Sequence, residues 1–164
     1  MLYVVVLSIV SLLFVFWIIS VQSSLMALDA NIHNAMFQVA IQLSSRWDMI
    51  IDLLELTHEN TVIQDSIKEK RLIIKEPTPD DINEQIRFMT EIIDEIKAIG
   101  EIYTSLKEEQ IYSKSMDAID QYEHMMGTSR LIYNDSVKKL NRSIHLFPRS
   151  LIGSVLGFSK QGYL

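Results

Sequence analysis

The chain has 164 residues, with 21 acids against 15 bases, a net charge of -6 and no cysteine. That balance argues against nucleic-acid binding, which needs a basic face, and the missing thiols exclude disulfide scaffolds, thiolate zinc sites and thiol catalysis. Every charge lies after residue 28, so the chain divides into an apolar segment, residues 1–28, and a charged body, residues 29–164.

Residues 2–19 read LYVVVLSIVSLLFVFWII, interrupted only by Ser8 and Ser11, whose hydroxyls can bond back to their own helix. As a helix this stretch is about 27 Å long, close to the roughly 30 Å of a bilayer's hydrocarbon core. Tyr3 and Trp17 fall near its ends, where amphipathic rings favour the headgroup level. A cleaved signal peptide would carry a basic n-region. None is present, and Ser23, Ser24 and Ala27 offer only a vague cleavage site. Residues 1–28 are therefore read as a retained anchor whose partner is the lipid bilayer. The nearest base after the span is Arg46, too far along the chain for flanking charge to set the orientation.

No Gly or Pro occurs in residues 1–76, and apolar residues recur at Leu28, Ile32, Met36, Val39, Leu43, Trp47, Ile50 and Leu54 in steps of three or four. This spacing predicts that the anchor runs straight into the first helix of the body, with a break or fray over residues 56–61 and resumption towards Lys75. Pro77 and Pro79 end that helix, because neither fits a helix interior. Thr78 then reads as an N-cap, with Pro79 at the first helical position and Asp80 and Asp81 favourable to the helix dipole.

The second helix carries a stripe of Ile82, Ile86, Met89, Ile93, Ile96 and Ile99 and fades over residues 100–106. A third begins near residue 108, places Met116, Ile119, Met126, Tyr133, Val137, Leu140, Ile144 and Phe147 on one seam, and stops at Pro148. The predicted fold is all-α: an N-terminal transmembrane helix continuing into an antiparallel up-and-down bundle of three long helices, plus a short C-terminal helix. Residues 80–109 hold nine acids and three bases, whereas residues 130–149 hold five bases and one acid. The asymmetry suggests that these two stretches pair.

The chain closes on FPRSLIGSVLGF, residues 147–158. Leu151, Ile152, Val155 and Leu156 make one apolar face of a helix of about two turns, with Gly157 as its C-cap. Counting helices out from the membrane puts this segment at the distal tip, packed across the open end of the bundle. A further break at residues 56–61 reverses that count and brings it to the membrane surface, where Arg149 and Lys160 would meet anionic headgroups.

Motifs that carry chemistry are scarce. His58-Glu59 lacks the second histidine of a zincin, and His33, His124 and His145 are scattered, so no metal site is expected. The five glycines are isolated, which leaves neither a phosphate-cradling loop nor a nucleophile elbow. No catalytic residue and no cofactor are expected. Asn134-Asp-Ser136 and Asn141-Arg-Ser143 match the glycosylation pattern but lie mid-helix, where the match is read as chance. Seven positions apart, Asn134 and Asn141 share a face and are read as fixing register by bonding a neighbouring helix.

Tyr133-Asn134 and Asn141, then Phe147-Pro148 with Leu151-Ile152 and Gly157-Phe158, resemble the C-terminal signature of the LemA family, with spacing that agrees without gaps. Upstream, Glu101, Tyr103 and Leu106-Lys107 look like that family's turn before its last long helix. Glu123 and Arg130 sit where it has Glu and Arg, and Arg46-Trp47-Asp48 with Leu53 resembles its Arg-x-Asp motif. Ile51 and Thr104 stand where the family usually has proline, and Met125 where arginine is common. The resemblance implies an N-terminal membrane helix with a short outside N-terminus, a cytoplasmic helical bundle and no assigned catalytic activity. The expected function is a membrane-anchored interaction or scaffold protein rather than an enzyme, with its protein partner and oligomeric state open. The alternative is a membrane-tethered hydrolase or ligand sensor in which Glu59, Asp94 and Glu123 converge from different helices.

Overall fold

The computed structural model describes residues 1–56, 77–102 and 110–164. Within them the fold is entirely helical: α1 (Leu2–Leu56), α2 (Pro79–Ile102), α3 (Gln110–His145) and the short α4 (Arg149–Val155). The expected break over residues 56–61 and the helix towards Lys75 lie outside the described residues, as do His58, Glu59, Tyr103, Thr104, Leu106 and Lys107.

The apolar head and the first helix of the body form one uninterrupted helix. Ser8 and Ser11 cause no break, because their hydroxyls donate to the carbonyls of Val4 and Leu7, one turn back, at 2.9 Å each. This spends two polar groups inside the helix itself, leaving nothing polar for the surroundings to satisfy. Nearly all of residues 1–20 are exposed, with only Trp17 and Ile18 half-buried.

At its start, α2 follows the predicted capping chemistry. The Asp81 amide donates to Thr78 Oγ1 at 3.2 Å, and the Thr78 amide donates to Asp81 Oδ2 at 3.2 Å. This reciprocal box satisfies two backbone donors that the first helical turn leaves unpaired. The hydrogen bonds from the Thr78 hydroxyl and amide hold the Asp81 carboxyl below the ordinary carboxylate range.

The chain resolves into two compact units. The first joins Met1–Asn34 to Ile132–Tyr163, and the second comprises Ala35–Leu131 with Leu164. Val21, Leu25 and Ile32 from α1, with Tyr133, Val137 and Leu140 from α3, are buried in the first unit. Val39, Leu43, Trp47, Ile50 and Leu53 from α1 are buried in the second, together with Ile82, Met89, Ile93 and Ile96 of α2 and Ile119 and Met126 of α3. The predicted stripes thus form the core, and the bundle is antiparallel as expected. In the second unit α2 and α3 meet at Gly100, where a Cβ would sit 2.5 Å from the Tyr112 hydroxyl oxygen. A side chain there would overlap the buried tyrosine, so the helix carries glycine despite its cost to helix formation.

Within the basic stretch Lys139 pairs with Asp135 at 2.6 Å, one turn apart on α3. One expectation is corrected. The C-terminal segment does not close a distal tip: α4 lies beside Phe14, Trp17, Ile18 and Gln22 in the apolar part of α1. The expectation rested on a helix count that took a single reversal between α1 and α2; residues 57–76 lie outside the described residues.

Candidate functional site

The residues singled out by sequence fall into two groups, one in each unit. In the second unit Arg46 projects from α1 towards α3 and donates from Nη2 to Glu123 Oε2 at 2.6 Å. The guanidinium side chain is only 2% exposed, whereas that of Glu123 is 59% exposed. Burial pushes the Arg46 guanidinium below its ordinary value, opposed by the charges of Glu123 and Asp120. Arg46 Nε and Nη1 and, one turn before them, Gln42 Oε1 are buried with no hydrogen-bond partner among the described residues. Beside this pair the Trp47 indole donates to Gln85 Oε1 at 3.0 Å, and its ring lies tilted against Phe88 with centroids 5.9 Å apart. Gln85 escaped the sequence reading although it sits between Ile82 and Met89 on the buried stripe. A polar residue at a core position of an amphipathic helix was the available signal. Asp48, next to Trp47, is exposed.

In the first unit the signature residues hold the C-terminal tail. After α4 the chain turns at Gly157, whose φ of 77° lies in the left-handed region. The Phe158 amide donates to Gly153 O at 3.0 Å and the Gly157 amide to Ser154 O at 3.2 Å, the bond pattern of a Schellman C-cap. The turn sends the tail back along α3. There Asn141 grips the main chain of Gln161 from both sides: its Nδ2 donates to the carbonyl at 2.9 Å and its Oδ1 accepts from the amide at 2.9 Å. Two turns earlier the Tyr133 hydroxyl donates to Gly162 O at 3.0 Å. α4 itself rests on α3 through Gly153, where a Cβ would meet Ile144 Cγ2 at 3.2 Å.

Asn141 therefore bonds the tail and not a neighbouring helix. It is 7% exposed, and the tail's backbone groups are its complement, whereas a bundle helix has already paired its own. Asn134 and Arg130 are half-buried, as is Phe158. Phe147 is 81% exposed, contrary to its place on the predicted seam. α3 ends at His145, so the periodicity that would turn Phe147 inward stops before it; Phe147 and Pro148 instead line an apolar groove with Trp17 of α1.

Burial pushes the Tyr133 hydroxyl above its ordinary value of 10.0. A raised folded value means that the contribution is fully present below the unfolded value and is lost as pH rises through the folded one. The Tyr112 hydroxyl is raised too, by burial and then by the charge of Glu101. Stability is expected to fall as pH rises above about 10, the unfolded value, and both hydroxyls ionise. Tyr133→Phe should remove only the tail's share of that fall, which denaturant midpoints measured through that rise would show; an unchanged alkaline profile would separate Tyr133 from it.

Among the described residues no three or more His, Asp or Glu side chains come together as a group able to hold a metal ion. Asp94 is exposed on α2.

These features define a class: an all-helical protein with one N-terminal helix long and apolar enough to cross a membrane, a buried arginine tied to the third long helix, and a tail clasped by that helix's own side chains. The LemA family profile matches residues 35–164, and the chain belongs to that family. No curated protein matches the chain.

Proposed function

We propose that the protein is a single-pass membrane protein whose N-terminus is outside and whose bundle is cytoplasmic, acting as a scaffold or interaction module and not as an enzyme. The observation that carries this reading is the continuity of α1: an almost wholly exposed apolar head passes without a break into a helix packed in the bundle. Exposed Leu, Val, Ile and Phe over that length have no stable place in water, and a bilayer of matching thickness covers them.

Support for the orientation comes from the fold as well as from family resemblance. Along the sequence no base lies near the span, but α4, which opens with the exposed Arg149, is folded against Trp17 and Ile18 at the inner end of the apolar run. Lys160 follows on the clasped tail. Cations held at one end of a span favour the cytoplasmic side, where the leaflet is anionic. The non-enzymatic reading is supported by the carboxylates: Asp94 faces solvent and Glu123 is committed to Arg46.

The test uses the full chain with a C-terminal epitope. It should remain in the pellet after alkaline carbonate extraction, keep its N-terminus, and resist protease added to intact cells. A mature chain beginning near Ser24 or Leu28 would identify a cleaved signal, and digestion of the epitope would reverse the orientation. For the scaffold role, crosslinking in intact membranes should capture a stoichiometric partner. Recovery of the uncrosslinked chain alone would count against it.

A further inference from the structure

In the first unit α4 and α1 enclose an apolar groove of about 640 Å³, within the size range of ligand-binding clefts. Its walls include Trp17 and Ile18 on one side and Pro148, Leu151, Ile152 and Val155 on the other. The α4 wall is not packed away: Leu151 is 61% and Val155 86% exposed. Three observations bear on what covers them. The groove's α1 wall is the C-terminal end of the apolar run read above as spanning the bilayer, so its apolar surface continues into that run without interruption. Basic residues flank α4 in the chain, Arg149 as its first residue and Lys160 shortly after it, both exposed. Lastly, α4 is fixed in place from behind by Gly153 against Ile144 and by the clasped tail, so its apolar face stays turned outward.

We infer that α4 lies on the membrane surface as a second point of membrane contact, and that acyl chains of anionic phospholipids fill the groove between it and α1. A short helix with an apolar face and basic flanks binds by this combination of buried area and attraction to anionic headgroups. The inference rests on the reading of α1 as the anchor, and the experiment separates the two.

Because the chain has no cysteine, single probes can be placed without background. Val155→Cys on α4, Leu12→Cys on the exposed head of α1 and Glu95→Cys on the exposed face of α2 are each labelled with bimane in the full chain. The proteins are reconstituted in phosphatidylcholine and phosphatidylglycerol vesicles, with or without bromine on the acyl chains. Brominated chains should quench the probes at 155 and 12 but not at 95, while aqueous iodide should quench only 95. In a second variant Leu151→Asp should leave the melting temperature near wild type, since Leu151 is exposed, yet abolish quenching by brominated lipid at 155.

Lipid quenching at 12 with iodide quenching at 155 would overturn the second contact and leave the anchor standing. Failure of brominated lipid at both positions would overturn the anchor as well. A probe at 155 shielded from both quenchers would mean that a protein surface covers the groove, and the lipid assignment would fall.

Discussion

Glu123→Ala is expected to destabilise the protein by about 2 to 3 kcal/mol, whereas Arg46→Met should stay within about 1 kcal/mol of wild type. The two substitutions break the same 2.6 Å ion pair, so a simple tally of contacts would give them equal effects. What distinguishes them is the group left behind. Without Glu123, a guanidinium that is 2% exposed keeps its charge in the bundle interior, with Nε and Nη1 already lacking partners among the described residues and the charge of Asp120 left to oppose its burial. Without Arg46, the carboxylate left behind is 59% exposed and can be hydrated, while the methionine fills the vacated volume with apolar atoms. Denaturant unfolding of the full chain in detergent micelles measures both. If Arg46→Met proves as costly as Glu123→Ala, the burial of the arginine is not what sets the energetics of the pair.

Much of this fold is legible in the sequence because one physical signal runs through it. Apolar spacing of three and four residues specifies α1, the Ile82 to Ile99 stripe and the α3 seam, and Thr78 with Pro79 and Asp81 marks the start of α2. What escaped was of a different kind. Arg46 and Glu123 are 77 positions apart, and no local pattern in either stretch says that they meet. Gln85 reads as an ordinary polar residue unless its place on the stripe is weighed. Asn141 was legible as a constrained asparagine, but its partner is the backbone of Gln161, and backbone groups carry no residue identity to match. The position of α4 depended on a helix count, and periodicity alone left that count open at residues 56–61. Phe147 shows the limit of periodicity itself, since the three-and-four rule predicts a buried face only while the helix continues.

The clasp offers the sharpest test of how the tail is held. Asn141→Ala should cost about 2 kcal/mol, roughly 1 for each of the two hydrogen bonds lost to Gln161, and should expose the C-terminus to carboxypeptidase. Asn141→Asp is nearly the same size and keeps an oxygen for the Gln161 amide, so on shape alone it should be mild. Its second oxygen, however, replaces the Nδ2 donor that faces Gln161 O at 2.9 Å. At neutral pH two acceptors then oppose each other in a site that was 7% exposed in the native chain, and the introduced charge is partly desolvated as well. The loss is therefore expected to match or exceed that of Asn141→Ala, about 2 to 3 kcal/mol. Both effects disfavour the ionised form, so the folded state holds the proton more tightly than the unfolded chain, whose carboxyl titrates near the ordinary value of about 4. The sign follows: the defect is full above the folded value and shrinks as pH falls through it, because a protonated carboxyl can donate to Gln161 O again. Relative to Asn141→Ala at each pH, Asn141→Asp should gain stability and tail protection on acidification. Wild-type stability of Asn141→Asp at neutral pH would show that the amide does not read the tail's main chain in both directions.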